Sequence, residues 1–281
     1  TVNSMAYPSY SVILVCLIFG LYKTSVNGVL TFGPIIISHF DHNDSHIGIY
    51  VMTAFWFGGA FAVIPASYLF TALGRKNGFA IGLLATGLGL IICIIGTIAK
   101  IYIIIIGGIA VFGAGNSILG FLRYAAAEVA GQDALAKATA LTYVLAAGII
   151  SAALGPSISS ICFKVVKHHQ FVVAFSIMIL LVMIAAGVLY RVSFPPIVSE
   201  HEQQSEAIRL SMTQMASGQR QLPRSLRQIT STRSFKIAVM LAVVSTVGMD
   251  VFTSSMGIAM YAEYGISLSH ISAVFLVHFI A

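Results

Sequence analysis

Residues 46–99 read HIGIYVMTAFWFGGAFAVIPASYLFTALGRKNGFAIGLLATGLGLIICIIGTIA, and Arg75 and Lys76 are the only Asp, Glu, Lys or Arg in that stretch. Two apolar runs flank one polar point. A membrane-spanning helix needs roughly 20 apolar residues, whereas a barrel strand has about 10 and alternates in polarity. Both runs pass the first length and neither alternates. They predict two spanning helices joined by a tight turn at Gly74.

The rest of the 281-residue chain follows the same pattern. Spans are expected at about residues 10–38, 46–72, 77–99, 101–123, 138–163, 171–190 and 235–261, with an eighth starting near Ser269. Charged residues make up 9% and the hydrophobic set 58%. An ordinary soluble domain carries about 25% charged residues. So little polar surface excludes a water-soluble globular domain, and so much hydrophobicity excludes a disordered chain. The fold class expected is an all-α, multi-spanning membrane protein. The chain starts at Thr1 without a Met and stops at Ala281, inside an apolar run that begins near Ile271. It reads as an incomplete chain. The first run is too long, and too poor in positive charge at its start, for a cleaved signal peptide.

Basic residues set sidedness. Arg75 and Lys76 follow the second span, and Arg123 and Lys137 follow the fourth. Arg191, Arg209, Arg220, Arg224, Arg227, Arg233 and Lys236 lie after the sixth. The opposite side holds only Lys100, Lys164 and Lys167. Positive charge marks the cytoplasmic side, so the even-numbered connections and the N-terminus are expected there. The expected location is the plasma (inner) membrane. With the basic residues spent on topology, nucleic acid is not an expected partner; the lipid bilayer is.

Six spans, a polar linker and further spans predict two halves. Residues 1–190 form the first six-helix half, 191–234 a cytoplasmic linker, and 235–281 the start of the second half. Ser45-His46-Ile47 opens span two and Ser269-His270-Ile271 opens span eight. Lys23 in span one and Asp250 in span seven are separated by nearly the same number of residues. The repeat is therefore parallel. Lys23 and Asp250 are also the only Lys, Arg, Asp or Glu near the middle of a span. A charge at the bilayer centre costs about 2.5–3.5 kcal/mol on insertion scales. Such residues face a cavity or each other. Gly20, Lys23, Asn27 and Thr31 share one helical face, and Asp250, Ser254, Gly257 and Tyr261 share another. Both faces fit the lining of a water-filled path. An ion pair between the halves is the structural alternative. Asn116 sits in span four among Gly113, Ala114, Gly115 and Ser117. Cavity lining and helix packing both suit it. His278 in span eight is a further proton-coupling candidate.

Other clusters carry less. Cys16, Cys93 and Cys162 all fall in or at the ends of spans and read as packing residues rather than a disulfide framework. The outer loop holds His39, Asp41, His42, Asp44 and His46. No spacing there is diagnostic of a metal, and the loop reads as solvated. No metal and no cofactor are expected. No phosphate-binding loop points to an ATP-driven pump, and no nucleophile–base pair points to an enzyme.

The turn after span two reads Pro65-Ala66-Ser67-Tyr68-Leu69-Phe70-Thr71-Ala72-Leu73-Gly74-Arg75-Lys76. Its Gly74-Arg75-Lys76 resembles the loop-two/three signature of the major facilitator superfamily, Gly-x-x-x-Asp-Arg-x-Gly-Arg-Lys. Ser67 stands for the first Gly, Thr71 for the Asp and Ala72 for the first Arg. Ser151-x-x-x-Gly155-Pro156 resembles the superfamily's fifth-helix motif, Gly-x-x-x-Gly-Pro, with Ser in the first place. That motif belongs to drug/proton antiporters and leans toward export; a kinked packing helix has the same sequence. Ile64-Pro65-Ala66-Ser67, Gly74-Arg75-Lys76-Asn77-Gly78-Phe79, Arg123-Tyr124-Ala125-Ala126-Ala127-Glu128 and Tyr143-Val144-Leu145-Ala146-Ala147-Gly148 are similar to a bacterial branch with riboflavin-importer-like members. The resemblance implies a helical bundle of twelve helices in two halves, a central site and alternating access.

The expected function is secondary transport of a small organic solute by alternating access, coupled to protons. The path candidates are Lys23, Asn27, Asn116, Asp250, Ser254, Tyr261 and His278. Two other readings stay open: an energy-independent facilitator or channel, and a truncated membrane protein that does not transport.

Overall fold

The computed structural model describes residues 10–40, 48–131, 133–166 and 169–194, together with Ile237 and Met240. The chain divides into two compact units. All elements below belong to the unit that holds the first 195 residues. Of the other unit, Pro196–Phe252, only Ile237 and Met240 are described; both are helical and exposed.

The described elements are six helices: α1 (Tyr10–Phe40), α2 (Gly48–Ala99), α3 (Tyr102–Leu119), α4 (Leu122–Val129), α5 (Ala134–Val165) and α6 (Gln170–Leu189). No strand occurs among the described residues.

Helix α2 carries two of the expected spans. Its 52 residues would make a straight rod of roughly 78 Å at about 1.5 Å per residue, against a hydrocarbon core of about 30 Å. Gly74 breaks the rod, with φ 82° and ψ 164°. That backbone region is open almost only to glycine. The arms 48–73 and 75–99 fold back on each other, and the Phe70 and Phe79 rings meet at 4.9 Å. The turn therefore takes one non-helical residue, where the sequence predicts a short loop between residues 72 and 77.

Both arms press on α3. A Cβ on Gly89 would lie 2.5 Å from the backbone N of Phe112, and one on Gly58 would meet the backbone of Ala110. Glycine on one helix admits the backbone of the next, which is how membrane helices gain contact without a hydrophobic driving force. The expected fourth span, 101–123, is interrupted. Helix α3 ends at Leu119, and α4 resumes at Leu122 after Gly120 donates to the Asn116 carbonyl at 2.9 Å.

Helix α5 starts four residues before its expected boundary because Asp133 caps it. The carboxylate accepts from the backbone N–H groups of Leu135 and Ala136, both at 3.3 Å. Pro156 sits inside this helix and is buried.

The core joins α1, α5 and α6 through rings. Phe32 meets Phe163 edge-on at 5.7 Å and Phe175 at 5.0 Å. Large apolar side chains also cover the outside. Phe57, Phe61, Ile64 and Tyr68 form one exposed stripe on α2, and Leu84, Leu88, Ile91, Ile95 and Ile98 form another. Helical spacing puts each set on one face. In water such patches would associate; in lipid they are the required surface. Among the described residues, five helical stretches are long and apolar enough to cross a membrane, and the one at Tyr50–Ala99 is the stretch that Gly74 divides. The described part is a multi-pass membrane bundle.

Three buried threonine hydroxyls are satisfied within their own helices. Thr24 donates to the Gly20 carbonyl at 2.8 Å, Thr31 to Asn27 at 2.7 Å and Thr86 to Gly82 at 2.8 Å. The cysteines are free: Cys93 and Cys162 are buried and Cys16 is half-buried. The Cys93 thiol donates weakly to the Ile105 carbonyl at 3.6 Å.

Candidate functional site

Lys23 lies near the middle of α1 and is half-buried. Its ammonium donates to Asn116 Oδ1 on α3 at 3.1 Å. Two candidate residues 93 positions apart in sequence therefore meet. Lys23 on α1 reaches across to α3, while the glycines beside Asn116 pack against α2, Gly113 at Phe55 and Gly115 at Thr86. The Tyr22 ring centroid lies 5.5 Å from Lys23 Nζ. Arg123, at the start of α4, is exposed, and its Nε donates to the Gly120 carbonyl at 3.4 Å. Tyr22 Oη and Ser25 Oγ are buried and have no hydrogen-bond partner among the described residues.

The described residues contain two carboxylates, Glu128 and Asp133. Asp133 caps α5. Glu128 binds Arg75 at 2.6 Å. Neither is spent on Lys23, whose described partner is a neutral amide.

The rest of the expected polar face on α1 turns toward α5. A Cβ on Gly155 would lie 2.6 Å from the Gly28 backbone N, 2.8 Å from the Thr24 carbonyl and 2.9 Å from Asn27 Cβ. Ser159, one turn on, is buried and shares its hydroxyl between the Gly155 carbonyl at 3.1 Å and the Gly28 carbonyl at 3.4 Å. Ser151 is buried and donates to the Gly148 carbonyl at 2.7 Å. Ser151, Gly155 and Pro156 thus sit where α5 meets α1. Asn27 lies at that contact and is half-buried, while Thr31 is buried and satisfied by its own helix.

A second polar cluster lies at the Gly74 end of the bundle. Arg75 reaches Glu128 on α4, and Lys76 donates to the Tyr190 carbonyl after α6 at 2.8 Å. Phe79 stacks near Phe194 at 5.5 Å. The turn, α4 and the end of α6 are thereby tied together. Thr71, at the motif's acid position, is exposed and donates within its own helix to Tyr68 at 2.9 Å and Ser67 at 3.2 Å. Glu128 supplies the acid at this end. Sequence reading missed that role, although Glu128 is one of only two described acids and Asp133 already stands at a helix start.

Asp250, Ser254, Tyr261 and His278 lie outside the described residues, as do loop residues Asp41, His42, Asp44 and His46 and the expected boundaries 191–234 and 235–281 beyond Phe194. No group of three metal-ligating side chains occurs among the described residues.

Residues 13–281 match the Major Facilitator Superfamily. The riboflavin transporter RfnT of Brucella anthropi is 25% identical over 146 residues, which is 52% of this chain and 36% of that protein. A crystal structure of a D-xylose–proton symporter superposes with a TM-score of 0.65 at 14% identity, over 96% of this chain and 64% of that one. The likeness to the symporter is one of fold. The chain spans about a third of the length of the curated relative and under two thirds of the solved structure.

Proposed function

The chain belongs to the major facilitator superfamily, and on that premise we propose that it is part of a secondary transporter that moves a small organic solute by alternating access. Family membership supports a transporter rather than an enzyme. The observation that carries the reading is the Lys23–Asn116 contact, a cation held inside an apolar bundle by a neutral group on another helix. A charge in that place is costly, and intramembrane ionisable residues mark solute and ion paths.

In this reading the bundle's Gly74 end faces the cytoplasm, with Arg75, Lys76, Arg123 and Arg191 on that side. The Arg75–Glu128 and Lys76–Tyr190 links then close the cytoplasmic end of the path. Asp250 is the candidate proton carrier. Its protonation state biases the path between two openings. Ser254, Tyr261 and His278 remain path candidates on the second half. The membrane is the plasma (inner) membrane.

Vesicles that contain the full-length protein test the reading. Solute should accumulate against its gradient when a pH gradient is imposed, and a protonophore should abolish the accumulation. Lys23→Ala and Asp250→Asn should each lower uptake or shift its pH dependence. Normal uptake with normal pH dependence in both variants would remove them from the mechanism. Riboflavin belongs in the first solute panel because of the RfnT match, beside other aromatic, hydrogen-bonding solutes.

A facilitator without energy coupling is the second reading. Thr71 favours it, since this neutral, self-bonded side chain stands where the resembling motif has an acid. Equilibration without accumulation would select it.

A further inference from the structure

Lys23 sits in a donor-rich, acceptor-poor neighbourhood. Its ammonium has three N–H donors, and Asn116 Oδ1 accepts one of them. The phenol beside it, Tyr22, is fully buried, and its hydroxyl has no partner among the described residues. Buried polar groups are nearly always paired, so an orphan here needs an explanation. Both described carboxylates are engaged elsewhere, Glu128 with Arg75 and Asp133 at the α5 cap. A cation and an unpartnered hydroxyl with one neutral acceptor leave the site short of negative charge among the described residues. Lys23 is half-buried as a residue, and Asn116 is the hydrogen-bond partner described for its ammonium.

We propose that Lys23 is the receptor for an anionic group, a carboxylate or a phosphate, on the transported solute, and that Asn116 positions its ammonium. The proposal rests on the transporter reading and narrows it to solutes that carry an acid. A carboxylate or phosphate oxygen accepts the free ammonium hydrogens in charge-assisted bonds. Asn116 holds the ammonium by its oxygen and so leaves the remaining hydrogens directed elsewhere. A neutral solute of the same shape would gain none of this.

Benzoate and benzamide are matched in shape and differ in charge. Full-length protein in lipid nanodiscs is titrated with each at constant ionic strength, with inorganic phosphate as a second anion. The unfolding midpoint is the readout. Benzoate should raise the midpoint in a saturable way at least ten times more effectively than benzamide. Lys23→Gln should remove that preference, Lys23→Arg should keep it, and Asn116→Ala should reduce it. Retention by Lys23→Arg separates a charge effect from a folding defect. Equal effects of benzoate and benzamide, including no effect from either, would overturn the proposal. So would an unchanged preference in Lys23→Gln. Benzoate binding that appears only in Asp250→Asn would assign the counter-ion to the chain itself, which also overturns it. The two readings fail separately. Energised uptake without anion preference would remove the receptor and keep the transporter; anion binding without uptake of any panel solute would do the reverse.

Discussion

Gly155→Ala tests how tightly α5 is fitted to α1. The added Cβ would sit 2.6 Å from the Gly28 N and 2.8 Å from the Thr24 carbonyl oxygen. Ordinary contact starts near 3.4 Å, so the helices must separate by about 0.8 Å at this point. The two nearest obstacles are backbone, and no rotamer change can clear them. Overpacking of this kind costs about 1–3 kcal/mol. Alanine returns about 0.5–1 kcal/mol of helix propensity. The expected net loss is ~1–2 kcal/mol, a factor of about 5–30 in the folding equilibrium. Gly187 on α6 supplies the control, since a Cβ there meets nothing within 4 Å. Gly187→Ala should be neutral or stabilising. Gly28→Ala should fall between, because its Cβ meets the flexible end of Met178. Reversible unfolding of the three variants in mixed micelles gives the ranking. Equal stability of Gly155→Ala and Gly187→Ala would refute the close-approach reading of the Ser151–Gly155–Pro156 segment.

Other perturbations have defined outcomes. Gly74→Ala places a side chain at φ 82°, ψ 164° and should cost about 1–3 kcal/mol, read as a lower unfolding midpoint, although its Cβ would touch nothing. Asp133→Ala should cost about 1 kcal/mol through the lost α5 cap, and Asp133→Asn should recover most of it in the same measurement. Arg75 and Glu128 are 30% and 38% exposed, so a double-mutant cycle with Arg75→Gln and Glu128→Gln should give a coupling below about 1 kcal/mol in stability. Transport is the more sensitive assay there. The charge-swapped protein, Arg75→Glu with Glu128→Arg, should regain more uptake than either swap alone, and equal defects in all three would remove the pair from the gating scheme.

The spans were legible because their signal is local. Twenty apolar residues in a row can hardly be anything else, and a lone Lys23 among them declares itself by its cost. The partners were not legible. Asn116 stood out as polar among small residues, but its contact with Lys23 joins positions 93 residues apart through the α1–α3 packing. Glu128 was hidden for a different reason. The turn motif directs attention to Thr71, whereas the Arg75 side chain finds its acid on α4 across the bundle end. Helix ends failed on chemistry of one or two residues. Gly74 turns the chain alone, α3 ends at Leu119, and Asp133 starts α5 sooner than hydropathy places it.

Two kinds of polar group coexist in this bundle, and the contrast locates the working part. Thr24, Thr31, Thr86, Thr97, Ser151 and Ser176 bond carbonyls three or four residues back in their own helices. Such bonds survive any rigid movement of one helix against another. They let polar side chains sit in lipid without fixing the packing. The Lys23–Asn116, Arg75–Glu128 and Lys76–Tyr190 contacts instead run between elements. They must stretch or break if those elements move. Two of the three are at the partly exposed Gly74 end, where water can take over the freed groups at little cost. Lys23 makes the charged interhelical contact placed deeper in the bundle, and there a replacement partner has to be brought in. In the proposed transporter, an alternating cycle would couple most directly to whatever acceptor Lys23 is offered, and substitutions at Lys23 should affect transport far more than they affect stability.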